Sequence, residues 1–561
     1  MSRASVVRRI LFLPVLLSGP VLSSGCGPGS DGDASDQAES ARGGEDWFRE
    51  EASTRGVDFV LSTGMSEQPW APEIIVGGGA ALDFDDDGLL DLYLLQSSGA
   101  GGNRLFRNLG DGRFEDVTES SNTGHEGYGS GVATGDYDGD GDVDLFVTNL
   151  GPDVLLRNEG DGSFRDVTVE AGLGDDGWGA SAGFLDIDDD GDLDLYVTRY
   201  LDWSPEREKP CLSADGLPDY CHPESFAAES ADLLYRNEGD GRFTDISESS
   251  GISSVRGNGL GVAAADFDGD GRVDVFVAND KNPDRLWRNL GGGRFEEAAF
   301  RMGCDRDLTA IPKAGMGVSV EDVDDDGDPD LIVCNVEGET DSFYVNEGGR
   351  FVDNTNPAGI GSPSRRYTRF GLGFVDFDND GVLDYFAANG AVTANVAAAA
   401  GTDRYVQDDL LMRGLPGRLR FEEVAPPGGV TGLPPATSRG AIFGDFDNDG
   451  GMDIGVVNRD AGFRLLMNAV PDRGRWAIFD VRDDRGAPAI GAMVRVDIGV
   501  RTLTRFVRSD ASYMTANDAR VHVGLGDLER IPRVTVRWRD GREMELAGLE
   551  ADSIHRIEPK D

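Results

Sequence analysis

A chain of 561 residues is too long for one small core, so two or more domains are expected. Acidic residues number 103 against 52 basic ones, a formal net charge of −51; such a surface repels nucleic acid and anionic lipid and attracts cations. Disorder, the other reading of an acidic chain, is excluded by aromatic and β-branched runs along its length, and 79 glycines point to many turns in a folded all-β body.

The chain opens with "MSRASVVRR" and the apolar run "ILFLPVLLSGPVL". Together they read as an export signal over residues 1–26, too short for a membrane span and interrupted by Pro14 and Pro20. "LSSGC" resembles a bacterial lipobox with Ser23 in the place of the usual leucine, which implies lipidation of Cys26 and a lipid anchor in the cell envelope, at the outer membrane or in the periplasm. Plain secretion with cleavage nearby is the alternative. Residues 27–45 form a polar linker that cannot bury enough surface to fold.

From residue 83 one pattern recurs, D-x-D-x-D-G-x-x-D. Its aspartates are Asp83, Asp85, Asp87 and Asp91; Asp136, Asp138, Asp140 and Asp144; Asp186, Asp188, Asp190 and Asp194; and Asp266, Asp268, Asp270 and Asp274. The remaining three copies hold Asp322, Asp324, Asp326 and Asp330; Asp376, Asp378, Asp380 and Asp384; and Asp445, Asp447, Asp449 and Asp453. Seven copies at a period of roughly fifty to eighty residues define a repeat architecture. Each copy follows a small-residue strand such as "GVATGD" and precedes an apolar one such as "DLFVTN". A third strand, a Gly-rich hairpin turn and a fourth strand complete the unit, as in "LLRNEGDGSFRDVT". Four antiparallel strands repeated seven times predict a seven-bladed β-propeller over residues 46–470. A parallel β-roll of calcium-binding nonapeptides is excluded, because its loops recur every nine or eighteen residues. The seventh unit lacks its last strand, and "DWFREEAS" near Trp47 supplies a candidate from the other end of the chain, so that residues 46–53 close the ring and remove its exposed edges.

Carboxylates at positions 1, 3, 5 and 9 of each loop, with a backbone carbonyl at position 7, can wrap one hard cation, and Gly at position 6 permits the sharp turn. An all-oxygen cage suits Ca²⁺ better than Mg²⁺. Seven calcium ions would bring the net charge from −51 to −37. The bland alternative is a solvated acidic turn.

At these loops the chain resembles the FG-GAP and VCBS repeats known from integrin α-chain propellers. "GAPAIGAMVRVDIG", "SYMTANDARVHVGLG" and "VTVRWRDGREMEL" resemble the ASPIC/UnbV domain, which follows such repeats in the cartilage acidic protein family and its bacterial relatives. The resemblance implies calcium binding and an extracytoplasmic role. From pattern alone, residues 475–561 form a small β-domain with alternating strands in "MVRVDI", "RVHVGL" and "VTVRW".

Cys211 and Cys221 flank an insertion and are expected to form a disulfide in an exported protein, and Cys304 with Cys334 is a second candidate pair. A zinc site at His222 is the rival of the first. Neither H-E-x-x-H nor the P-loop occurs, and the four histidines are His125, His222, His522 and His555. Counting strands places two long insertions, 200–231 and 390–409, on the face away from the aspartate loops. Tyr128, Trp178, Asn258, Arg369 and Arg439 lie near the starts of the inner strands on that face and are the expected ligand contacts. The expected function is a calcium-binding adhesion or scaffold protein for an extracellular glycan or protein. The alternative is a propeller enzyme working on a polymer or small metabolite at the central pocket.

Overall fold

The computed structural model describes residues 45–560 apart from 65–67, 99–100, 308 and 399–401. The export signal, Cys26 and all but the last residue of the 27–45 linker lie outside the described residues.

Each aspartate repeat folds into an antiparallel four-stranded sheet, with strands a to d in chain order from the channel outward. In blade 1 these are Gly79–Leu82, Asp91–Leu94, Arg104–Asn108 and Phe114–Asp116. Strand a pairs with b, b with c and c with d. The inner strands of the other repeats are Gly129–Gly135, Asp176–Leu185, Gly259–Ala265, Val318–Glu321, Arg369–Val375 and Ser438–Gly444. The last repeat has only three strands of its own, and Phe48–Glu50 pairs antiparallel with Arg464–Asn468 to supply the fourth. Inner strands of successive repeats touch, and the last touches the first, so the sheets close into a ring.

Close approach of these inner strands requires glycine. A Cβ on Gly131 would lie 2.2 Å from the Ala180 carbonyl oxygen, on Gly317 2.1 Å from that of Phe370, and on Gly371 2.2 Å from the Ala441 nitrogen. Backbone is therefore packed against backbone around the channel, and alternating apolar side chains fill the wedges further out. Leu92, Leu94 and Phe106 meet Ile442, Leu465 and Met467 between the first and last blades, and similar clusters separate the other blades.

A second set of strands follows the ring. Arg475–Val481 pairs antiparallel with Val521–Gly526 and parallel with Ser553–Ile557. Met493–Asp497 pairs with Thr502–Phe506 and Arg533–Arg537, and the latter pairs with Glu543–Leu546. The two sheets enclose a separate core of Phe479, Val494, Leu503, Val523, Val534 and Trp538.

Cys211 and Cys221 are joined in a disulfide across a short hairpin, Cys211–Leu212 against Pro218–Asp219. Cys304 and Cys334 are buried free thiols, which corrects the second expected pair. Cys304 sits in the wedge between blades 4 and 5, whereas Cys334 faces the channel, its Sγ 3.2 Å from the Arg369 carbonyl oxygen.

Gly371→Ala is expected to destabilise the ring by about 1–3 kcal/mol, since the new methyl group collides with backbone. Gly462→Ala, where the methyl meets nothing within 4 Å, is the control and is expected to change stability by less than about 0.5 kcal/mol. Urea melts of the two variants read the difference.

Candidate metal centres

Each aspartate loop lies between strands a and b at one face of the ring. Its backbone is set by two left-handed residues. Position 4 has positive φ in every copy, at Asp86, Gly139, Asp189, Gly269, Asp325, Asn379 and Asn448, and so does the glycine at position 6. Only Gly, Asn and Asp adopt that conformation readily, so only they occur at position 4.

Blade 1 shows how the carboxylates are held. Asp83 accepts the backbone N–H groups of Asp87 (3.1 Å) and Gly88 (2.9 Å), and Asp87 accepts that of Leu89 (3.0 Å). Asp91, buried at the start of strand b, accepts from Phe84 N (3.1 Å) and Asn108 N (2.7 Å). Positions 1, 3 and 9 converge: ligand oxygens of Asp83, Asp85 and Asp91 lie within 4.8 Å of one another. The same holds for Asp136, Asp138 and Asp144, for Asp186, Asp188 and Asp194, for Asp266, Asp268 and Asp274, and for Asp322, Asp324 and Asp330. Position 5 stands outside these triplets and caps the N–H of position 7 through one oxygen, in blade 1 as in the other six blades.

The position-3 carboxylates carry the test of cation fit. One buried oxygen each of Asp85, Asp138, Asp188 and Asp447 has no hydrogen-bond partner. An unpaired buried carboxylate oxygen costs free energy that a cation would recover. The donor set is all oxygen, so the residues fit a hard cation such as Ca²⁺. Burial, set against the loop's own backbone hydrogen bonds and reinforced by neighbouring carboxylates, pushes Asp83 and Asp136 up to about 6 and Asp91, Asp194 and Asp330 up to about 8. Asp376, Asp384 and Asp453 are also raised well above the ordinary carboxylate range, chiefly by burial and then by the carboxylates beside them.

Two sets of residues that sequence reasoning passed over complete the loops. The asparagine ending strand c donates its side-chain N–H to the position-8 carbonyl of its own loop and to position 2 of the preceding blade's loop. Asn158 reaches Phe84 O (2.8 Å) and Val143 O (3.3 Å). Asn108, Asn237, Asn289, Asn346 and Asn468 repeat the bridge. Gly414 takes the place in blade 6. The signal was the recurring "RN" of "LFRN", "LLRN", "LYRN" and "LWRN". The arginine of that pair also matters: Arg107 lies 2.6 Å from Asp85, and Arg413 lies 2.6 Å from Asp378.

The C-terminal domain sits on this same face and sends residues 509–517, "SDASYMTAN", into the channel. The segment hydrogen-bonds the inner strand of every blade. Thr515 and Ala516 pair with Gly79 and Ala80, Ser509 donates to Thr134 O (2.9 Å), and Met514 N donates to Ser181 Oγ (3.1 Å). Ala264 N donates to Asp510 (2.7 Å), Ser512 exchanges two backbone bonds with Val318, Leu372 N donates to Ser512 Oγ (3.1 Å), and Ser512 Oγ donates to Ala441 O (2.9 Å). Ala511, Ser512 and Met514 adopt positive φ without being glycine, backbone strain held in place by this surrounding lattice. Tyr513 and Met514 are buried with Leu260, Met316 and Phe370, so the channel is filled.

Of the expected ligand contacts on the opposite face, Trp178, Asn258, Arg369 and Arg439 are buried and Tyr128 is partly buried, so they are packed within the fold rather than presented to a ligand. Trp178 is 2% exposed and packs edge-on against Tyr200 at 5.0 Å, beneath the first insertion. Arg439 donates to the carbonyls of Ile74 (2.9 Å) and Gly390 (2.9 Å) and stacks 4.0 Å over Phe370. Arg369 is paired with Asp341 at 2.6 Å, Asn258 donates to Asp280 O (2.8 Å), and Tyr128 packs against the cluster between blades 1 and 7. The first insertion packs on Trp178 through Tyr200, the second reaches Arg439 through Gly390, and the two meet each other, with Tyr405 donating to Asp219 (2.8 Å) and Arg459 packed over Tyr220 and Tyr405. His522 is buried at the loop face with Nε2 3.1 Å from Gly450 O and is lowered to about 4, mainly by burial, as befits a packed strand residue.

The fold and site define a β-propeller with recurring acidic loops that could hold a cation, capped by a small β-domain. The FG-GAP-like repeat profile matches residues 83–147, 136–197, 212–277, 266–333 and 322–387, more than half of the chain, and the ASPIC and UnbV profile matches 483–561. The chain belongs to the FG-GAP-like repeat family. It is 30% identical over 191 residues to cartilage acidic protein 1 of Xenopus tropicalis and, equally, of Homo sapiens, covering 32% of this chain and 28% and 27% of theirs. The match thus spans just over a quarter of those relatives. Among solved structures, YCF48 bound to a D1 peptide superposes with a TM-score of 0.40 at 10% identity, over 73% of this chain and 98% of that one. An Agrocybe aegerita lectin specific for non-reducing terminal N-acetylglucosamine gives 0.36 at 15% identity, over 69% and 87%.

These carboxylates have folded-state values above the ordinary 3.8, so without a cation they favour the folded state below about pH 4 and that contribution is lost as pH rises through about 6 to 8. The chelated protein is therefore expected to melt higher at pH 5 than at pH 8. Calcium binds the ionised form and is expected to raise the melt most at pH 8, by about 2.7 kcal/mol per site at a hundredfold excess over Kd. Calorimetry at the two pH values, with chelator and with calcium, checks both; melts unaffected by either variable contradict the assignment.

Proposed function

We propose that the chain is an exported, calcium-binding propeller scaffold that engages an extracellular glycan or protein on the face away from its aspartate loops. The single observation that carries this reading is the division of labour between the faces. One face is occupied by the cation loops and the chain's own C-terminal domain, and the channel is filled by residues 509–517. What remains is the opposite face, where a disulfide-stapled insertion and a second insertion form a rigid surface. Long loops fixed on a rigid scaffold commonly carry recognition.

Between the insertions lies a small recess lined by Tyr200, Tyr220, His222, Asp280, Lys281 and Thr393. Tyr200 donates to Asp280 at 2.8 Å, which leaves tyrosine rings, a carboxylate and a rim of His222 and Lys281 for a hydroxyl-rich or peptide ligand. The enzyme reading is disfavoured by the filled channel. Export is supported by the disulfide, and the lipobox-like "LSSGC" supports anchoring through Cys26. Membrane fractionation of Cys26→Ser tests the anchor: the variant is expected in the soluble fraction or unprocessed, and an unmodified N-terminus beyond residue 26 contradicts it.

The recognition surface is tested by screening the calcium-loaded protein against glycan and extracellular-protein arrays. His222→Ala combined with Lys281→Asn, asparagine being chosen because Lys281 has φ of +60°, is expected to weaken the interaction about tenfold or more, about 1.4 kcal/mol, with an unchanged melt. Full binding by that variant, or turnover of the captured ligand, contradicts the reading.

A further inference from the structure

Where position 4 of an aspartate loop carries a side chain, that side chain is turned away from the carboxylates of its own loop, and in blades 1, 3, 5 and 7 it meets an arginine of the C-terminal domain. Asp86 faces Arg482 (3.6 Å) and Arg556 (3.5 Å), Asp325 pairs with Arg501 (2.6 Å), and Asp189 pairs with Arg539. Asn448 accepts from Arg520 (2.9 Å); the Asn379 side chain donates to Gly450 of the blade 7 loop (3.0 Å) and to Gly474 (3.2 Å), and its backbone carbonyl accepts from Gly526 N of the C-terminal domain (2.8 Å). Where position 4 is Gly139, the Arg485 guanidinium packs against it. Blade 4 is different: a Cβ on Gly269 would meet no atom within 4 Å.

We infer that docking of the C-terminal domain and cation loading of the aspartate loops are positively linked through position 4, in every blade but the fourth. Each charged pair joins an arginine to a carboxylate that is not a ligand, so it adds no net charge beside the cation. What it contributes is geometry, because it holds the left-handed residue between the position-3 and position-5 aspartates. A bound cation fixes the same backbone from inside and aims the position-4 side chain outward. Two ligands that favour one conformation favour each other, and the coupling is reciprocal. Withdrawing the cation therefore loosens the C-terminal domain and with it the 509–517 segment in the channel, and deleting the arginine contacts weakens cation binding. The inference rests on the cation reading of the loops.

The test uses the full chain and a charge-neutral deletion of two pairs, Asp325→Asn with Arg501→Gln and Asp189→Asn with Arg539→Gln. Asparagine already occupies position 4 in blades 6 and 7, so the backbone conformation is kept. By titration calorimetry two calcium-binding steps are expected to weaken about fivefold or more, and tryptic cleavage after Arg473 is expected to accelerate in chelator. Gly269→Asn, in the uncoupled loop, is expected to leave that cleavage rate unchanged. Trp476 gives an independent signal, because its indole lies against Gly450 in the blade 7 loop. Terbium emission that is lost in Trp476→Phe is expected to fall in Arg520→Gln. Native-like calcium affinity in the pair-deleted protein, together with cleavage that ignores chelator, overturns the linkage. A native chain that takes up no calcium overturns the cation reading instead.

Discussion

Mutual repulsion of carboxylates at close quarters governs this molecule. The loops of blades 1 to 5 each bring three aspartate oxygens within 4.8 Å of one another, in a place where burial already disfavours their charge. Nothing in the loop itself neutralises them: the backbone N–H groups that tie Asp83 and Asp91 hold the carboxylates in position without cancelling their charge. A hard cation does cancel it, and it would recover the orphaned oxygens of Asp85, Asp138, Asp188 and Asp447 at the same time.

The rest of the architecture is hung on those loops. In every blade but the sixth the strand-c asparagine ties its loop to the one before it, so the order of one blade is transmitted to the next. The C-terminal domain reads the outer rim of the loops through arginines and threads the channel with one nonapeptide that bonds to all seven inner strands. The channel is thus part of the core, and on the opposite face the disulfide and the Tyr405 to Asp219 bond hold two long segments together.

The repeats, the strand order within each blade and closure by Phe48–Glu50 were legible in the sequence, because period-2 alternation and Gly-rich turns are local signals. So was the Cys211 to Cys221 bond, which closes a loop of short span. The channel segment was not legible, since "SYMTAN" carries no periodicity and its partners lie in seven separate strands. Trp178, Arg369 and Arg439 were read as ligand contacts because strand counting locates a residue along a strand but not what packs against it; Tyr200, Asp341 and the Ile74 and Gly390 carbonyls take those places. Position 5 was read as a ligand equal to positions 1, 3 and 9, whereas one of its oxygens is occupied by the N–H of position 7, a bond that spacing alone does not reveal. Position 4 was an unremarked x in the pattern. Its restriction to Gly, Asn and Asp was visible, but a left-handed backbone explains that restriction without any partner.

The central claim, that the aspartate loops are cation cages, is tested most directly by native mass spectrometry of the purified chain after exchange into calcium and into chelator. The account predicts a mass increase of discrete calcium steps, up to seven, that disappears in chelator. One mass under both conditions would contradict it.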